Sequence, residues 1–142
     1  MIIAIDGPAG SGKSTTAKLL ADKLKFIYLD TGAMYRAVTL FAMENKFITS
    51  DTFYFEKLEK ELPNIVLDFK FNIDLGFAEI YLNGLNVENK IRSLAVSKQV
   101  SKVSAISSVR RKLVIEQQEM GKNKGIVMDG RDIGTVVFPD AE

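Results

Sequence analysis

Three observations predict an α/β fold in which a parallel sheet is covered by helices and carries a small antiparallel insert. Short apolar runs at about 2–6, 26–30 and 125–129 end abruptly in Asp- and Gly-containing turns. Stretches of helical periodicity lie between them. The segment at about 65–87 instead alternates residue by residue. Taking the chain in order, Ile2 to Ile5 breaks at Asp6-Gly7-Pro8, the pattern of a strand buried on both faces of a parallel sheet. Ala17, Leu20, Ala21 and Leu24 recur at i, i+3, i+4 and i+7, so a helix with one apolar stripe should begin near Lys13. Phe26 to Leu29 reads as the next buried strand, broken at Asp30-Thr31-Gly32, and Met34 to Lys46 as the second helix. A β-α-β-α order implies parallel strands.

The remaining elements follow the same logic. Ser50 to Leu62 is expected to be a short helix capped by Ser50 or Asp51, with Pro63 beyond its end. Ile65, Leu67, Phe69 and Phe71 alternate with Val66, Asp68 and Lys70, predicting a strand with one buried face. Asn72 to Gly76 is a turn, Ala78, Ile80 and Leu82 form a second strand, and Asn83-Gly84 is a strong hairpin signal. From Arg92 to about Glu119 the period is helical again. Val96, Val100, Val103 and Ile106 make an apolar stripe, and Ser97, Ser101, Ser104 and Ser108 a polar one. Gly125 to Met128 closes the pattern as a buried strand running into Asp129-Gly130-Arg131-Asp132.

Composition narrows the chemistry. The 142 residues suit one domain, and 19 basic against 18 acidic residues leave a net charge of +1, which argues against a nucleic-acid protein held by bulk charge. Cysteine and histidine are both absent. Thiol nucleophiles, imidazole bases and Cys/His zinc sites are therefore excluded from these residues. What remains is Lys, Arg, Asp, Glu, hydroxyls and backbone groups with a hard cation, the equipment of phosphoryl transfer. The apolar start is too short for a signal-peptide core and no run approaches the ~20 residues of a membrane span. The expected location is the cytoplasm.

Gly7-Pro8-Ala9-Gly10-Ser11-Gly12-Lys13-Ser14, followed by Thr15, fits the phosphate-loop pattern G-x-x-x-x-G-K-[ST] at every fixed position. It stands between a strand and an amphipathic helix, the context that the motif requires. Its glycines let backbone N–H groups converge on phosphate oxygens, and the helix adds its positive end. Lys13 can reach the β- and γ-phosphates, and the Ser14 hydroxyl can ligate Mg²⁺. A nucleoside triphosphate is the expected ligand. GTPases need an Asn-Lys-x-Asp segment, and none of Asn45-Lys46, Asn89-Lys90 or Asn123-Lys124 continues that way. A second cluster, Thr31, Tyr35 and Arg36, follows the second strand, where ligands of open parallel sheets bind. Arg36 could hold another phosphate by its planar fork. The competing reading makes Tyr35 a core residue and Arg36 a solvated one. Asp129, at the tip of a strand, suits a Walker-B role, holding Mg²⁺ through water. Its competing reading is an Asp/Gly-rich turn.

Together these clusters resemble bacterial-type cytidylate kinases, which phosphorylate CMP and dCMP with ATP. The resemblance rests on IDGPAGSGKST at 5–15, LDTGAMYR at 29–36, IRSLAVSKQVSKVSA at 91–105, VR at 109–110 and DGRDIGTVVFPDA at 129–141. It implies a P-loop nucleoside monophosphate kinase-like fold in a single domain, with a core at 1–35 and 109–142 and a monophosphate-binding region at 36–108. It also implies a site. ATP would lie on residues 7–15; CMP would be held by Thr31, Tyr35, Arg36, Ser101, Arg110, Arg131 and Asp132; and Lys13, Arg131 and Asp129 would serve catalysis. Mg²⁺ would accompany ATP at Ser14 and, through water, Asp129. Asp132 can accept from the cytosine amino group while Ser101 and Arg110 donate to the ring acceptors, and uracil would set a carbonyl against that carboxylate.

Two further expectations follow. Ser101 and Arg110 are nine residues apart, on opposite faces of a continuous helix at ~100° per residue. Both reach one base only if the helix breaks near 104–108, where Ser104, Ser107 and Ser108 can break and cap it. The resemblance also implies a longer protein, because members of this family continue past FPDA into another strand, an arginine-rich lid and further elements. The chain is thus expected to be C-terminally incomplete, and these residues alone to be aggregation-prone or poorly folded. The expected partners are ATP and CMP or dCMP, with no nucleic acid or membrane, and the expected state is a monomer. The alternatives are a nucleotide-binding fragment without turnover, or another small-molecule kinase of the same loop class.

Overall fold

A computed structural model describes residues 2–6, 13–122, 125–130 and 137. Strands β1 (Ile2–Asp6), β2 (Ile27–Asp30) and β6 (Ile126–Gly130) form one parallel sheet in the order β1-β6-β2. Between β1 and β2 lies helix α1 (Lys13–Leu24), and after β2 comes α2 (Gly32–Glu44). Then follow α3 (Phe55–Glu61), β3 (Leu67–Asn72), β4 (Phe77–Leu82), β5 (Leu85–Asn86), α4 (Leu94–Ser104) and α5 (Ser107–Met120). The mixed α/β class, the parallel core strands and the inserted sheet agree with the expectation from sequence.

The register sets the functional edge. Ile5 pairs with Asp129, Asp6 with Gly130, and Asp30 with Asp129. All three strands therefore end level, and the chain leaves each of them at the carboxyl edge. The central strand β6 is buried throughout, whereas β1 is half-buried and Ile27 on β2 is 42% exposed. Ile2 to Ile5 are thus not sealed on both faces as expected. The reason is position, since β1 and β2 each have one hydrogen-bonded neighbour among the described strands and β6 has two.

The chain divides into two compact units. The first comprises Met1–Gly32, Phe69–Ala78 and Val114–Glu142. Its core has two clusters. One gathers Leu29, Ala78, Ile126, Met128 and Val137, and the other Ala17, Ala21, Tyr28 and Val127. Helix α1 contributes Ala17 and Ala21 as expected, but Leu24 is 41% exposed because the helix ends there. Lys25 takes φ +60°, and its N–H and that of Phe26 donate back to Asp22 and Ala21. This is a Schellman ending with lysine in the left-handed position.

The second unit comprises Ala33–Asp68 and Glu79–Leu113. Met34, Leu58, Ile65, Ile80, Ile91, Val96, Val103 and Leu113 are each no more than 1% exposed. Here α2 ends as α1 does, with Lys46 at φ +61° and Phe47 donating to Ala42. The helix expected from Ser50 begins only at Phe55. Residues 48–53 form a tight hairpin turn instead, with Ile48 bridged to Phe53 and the Thr49 hydroxyl accepting from Asp51 and Thr52. Side-chain acceptors near their own backbone compete with helix formation in this way. Pro63 lies beyond the end of α3 as expected, inside a 3₁₀ turn, Leu62–Asn64.

The inserted sheet has the order β3-β4-β5. β4 and β5 are antiparallel around Asn83-Gly84 at φ +49° and +85°, the two-residue turn whose twist matches its strands. The four-residue connection from β3 to β4 likewise permits only an antiparallel pair. Leu67, Ala78, Ile80 and Leu82 face inward as expected. Phe71 does not, at 51% exposure, because it approaches the tip of the hairpin, where Ile73 and Leu75 are also exposed.

Candidate functional site

At the carboxyl edge of the parallel sheet, β6 delivers Asp129, which is 1% exposed. The Tyr28 hydroxyl on β2 donates to Asp129 Oδ2 at 2.6 Å. One residue past β2, Thr31 turns back onto the same residue. Its hydroxyl donates to the Asp129 carbonyl at 2.7 Å and its backbone N–H to the same oxygen at 3.1 Å. The Asp30 carboxylate accepts from Gly32 N at 2.9 Å, capping the start of α2. This explains why Asp-Thr-Gly follows the strand: the acid caps the helix, and the threonine locks the turn to β6. Thr31, predicted to line a ligand pocket, thereby commits its hydroxyl proton to the neighbouring strand. Lys18 on α1 places its ammonium 5.6 Å from the centre of the Tyr28 ring and 4.8 Å from that of Phe77.

In the second unit, Tyr35 and Arg36 are half-buried on α2. Arg36 Nη1 donates to the Ser97 hydroxyl at 2.8 Å and to the Ile91 carbonyl at 3.2 Å. Arg36 is therefore not a freely solvated side chain. Ser101 and Arg110 are exposed and stand on different helices, since α4 ends at Ser104 and α5 begins at Ser107. The expected break is present. Its chemistry differs in detail from a serine cap, because the Ser104 hydroxyl donates back to the Ser101 carbonyl and Ser108 donates to Glu59 Oε2 at 2.6 Å.

Of the phosphate-loop residues, Gly7, Pro8, Ala9, Gly10, Ser11 and Gly12 lie outside the described residues, as do Arg131 and Asp132. Lys13 and Ser14 form the first turn of α1, and Thr15 is exposed on that turn. Among the described residues no group of three or more acidic side chains gathers. Among the described residues at this edge, the buried Asp129 carboxylate is a group that could hold a divalent ion together with hydroxyl and water oxygens, a donor set that suits Mg²⁺. Two contributors escaped the sequence reading. Tyr28 was legible only as a tyrosine within an aliphatic strand, and Ser97 only as one member of a serine stripe.

A family model described as cytidylate kinase matches residues 3–142. The chain belongs to the cytidylate kinase family. Among curated relatives, the cytidylate kinase of Flavobacterium johnsoniae is 66% identical over 140 residues, covering 99% of this chain and 61% of that protein. That of Bacteroides fragilis is 55% identical over 140 residues, again covering 99% and 61%. That of Porphyromonas gingivalis is 52% identical over 142 residues, covering all of this chain and 62% of the relative. The chain thus spans about three fifths of the length of the cytidylate kinases it matches. Among the described residues no helix is long and apolar enough to cross a membrane.

Proposed function

We propose that the full-length protein transfers the γ-phosphoryl group of ATP to CMP or dCMP, as a monomer in the cytoplasm, in pyrimidine nucleotide metabolism. The observation that carries this reading is the level ending of β1, β2 and β6. It brings Asp6, the Asp30-Thr31-Gly32 turn and Asp129-Gly130 to the same edge of a parallel sheet, where such sheets bind ligands. Family membership across residues 3–142 supports the same reading.

Roles follow from chemistry. Residues 7–15 would cradle the ATP phosphates, with Lys13 set against the charge that develops on the transferring group. Ser14 and, through water, Asp129 would hold Mg²⁺, which screens the phosphate charges when bound. Arg36 and Arg131 would grip the monophosphate beside Thr31 and Tyr35. Ser101, Arg110 and Asp132 would read cytosine, and the broken helix between α4 and α5 relieves the opposed-face problem that a continuous helix would pose. Residues 1–35 with 109–142 would form the nucleotide-binding core, and 36–108 the monophosphate region.

A coupled assay of ADP release with the full-length protein, run across CMP, dCMP, UMP, AMP and shikimate, tests this. CMP and dCMP should be the preferred acceptors, with turnover dependent on Mg²⁺. A preference for AMP or shikimate would replace the reading with another small-molecule kinase.

A further inference from the structure

Arg36 has five N–H donors arranged as a rigid planar fork. Both hydrogens of Nη1 are taken within the second unit, one by the Ser97 hydroxyl at 2.8 Å and one by the Ile91 carbonyl at 3.2 Å. The Nη2 and Nε edge, with three N–H groups, meets no protein acceptor among the described residues. That edge is the one that pairs side-on with two oxygens of a phosphate. Two acceptors on a single nitrogen also define the plane of the guanidinium, whereas one leaves the group free to swing about the remaining bond.

We infer that Ser97 is a positioning residue, which with the Ile91 carbonyl fixes the Arg36 guanidinium so that its Nη2–Nε edge faces the phosphate of the acceptor nucleotide. The inference rests on the reading of Arg36 as a phosphate holder. The anchor is itself well held. Ile91 is fully buried in a 3₁₀ turn, Lys90–Arg92, and Glu88 ties that turn to the inserted sheet by accepting from Arg92 Nη2 and Ile80 N, both at 3.1 Å. Ser93 then caps α4, its hydroxyl accepting from Val96 N at 3.2 Å. Ser97 sits in the first turn that this cap starts, so both acceptors for Nη1 come from one short rigid stretch, 91–97. Pre-orienting a long arginine side chain spares the ordering that the phosphate would otherwise impose on binding.

The test compares Ser97→Ala, Ser97→Val and Ser97→Thr in the full-length enzyme. Ser97 is exposed on a helix, so alanine does not threaten folding, and valine and threonine share a shape while differing in the hydroxyl. Alanine and valine should raise KM for the acceptor by on the order of tenfold, with kcat and KM for ATP unchanged, and threonine should restore the wild-type value. Wild-type KM in both alanine and valine variants overturns the inference, as does a threonine variant impaired like the valine one. The acceptor is chosen as whichever of CMP, dCMP, UMP or AMP the wild type prefers. Preference for UMP or AMP then fails the cytidylate reading while Ser97 is still judged, and no turnover with any of them overturns both.

Discussion

The Tyr28 hydroxyl lies 2.6 Å from Asp129 Oδ2, and both side chains are buried, at 3% and 1% exposure. So short a contact is characteristic of a hydroxyl donating to a carboxylate. It joins β2 to β6 through side chains at the edge where the backbones already pair in register. The tyrosine ring fills the cluster with Ala17, Ala21 and Val127, so its body serves packing and its tip orients the acid.

Tyr28→Phe separates these two contributions. The ring stays, the hydroxyl goes, and the Asp129 carboxylate loses one of its donors. Stability should fall by about 1–3 kcal/mol, read as a lower urea midpoint. On the proposed role of Asp129 in holding Mg²⁺, kcat of the full-length protein should fall on the order of tenfold, with a rise in the Mg²⁺ concentration needed for half-maximal rate, as partners of metal-holding groups typically show. Wild-type kcat and Mg²⁺ dependence in a merely less stable variant would confine Tyr28 to packing.

Helix endings offer a second prediction. Lys25 and Lys46 occupy left-handed positions, φ +60° and +61°, where glycine is the unstrained residue. Each is followed by a phenylalanine whose N–H reaches back five residues, to Ala21 and Ala42. Lys25→Gly and Lys46→Gly should each stabilise by roughly 0.5–1 kcal/mol, because relief of the Cβ clash outweighs glycine's extra freedom in the unfolded chain. Urea midpoints should rise with no change in slope. A lower midpoint would mean that the lysine stems contribute packing that outweighs the backbone strain.

What could be read in advance follows physical range. The strands and most helices are visible as periodicity, a local property, and so is the Asn83-Gly84 turn, which two residues specify. The start of α3 was misread because the Thr49 hydroxyl draws 51–52 into a turn, a competition that hydrophobic periodicity does not register. Exposure at Leu24 and Phe71 depends on where an element stops relative to its neighbours. The motif residues were recognisable because chemistry constrains their types and spacing. Tyr28 and Ser97 were not, because their roles depend on partners 101 and 61 residues away.

Base selection gives the third prediction. On the proposed role of Asp132 as acceptor for the cytosine amino group, Asp132→Ala should lower kcat/KM for CMP and shrink its advantage over UMP by at least about tenfold, because a pocket built around a hydrogen bond discriminates chiefly through that bond. Stopped assays with both nucleotides at several concentrations measure the ratio. An unchanged CMP/UMP ratio would move base reading away from Asp132, towards Ser101 and Arg110 on α4 and α5.

Lys13 opens α1, at the helix end where backbone N–H groups and the positive dipole already favour anions. Its ammonium would add a full charge that the dipole cannot supply, set against the negative charge that builds on the transferring group. Lys13→Ala should therefore reduce kcat by about 10²–10³, the range typical of losing one preorganised donor at a developing anion. Alanine is the best helix former and α1 buries Ala17 and Ala21 against the sheet, so the unfolding midpoint should stay at the wild-type value. Lys13→Arg should recover little, because a planar fork cannot replace a compact ammonium at the same point. The decisive comparison is kcat against the unfolding midpoint in the two variants. Near-wild-type turnover in Lys13→Ala would remove this residue from the catalytic machinery, and a fall in midpoint to match the fall in rate would make its role structural.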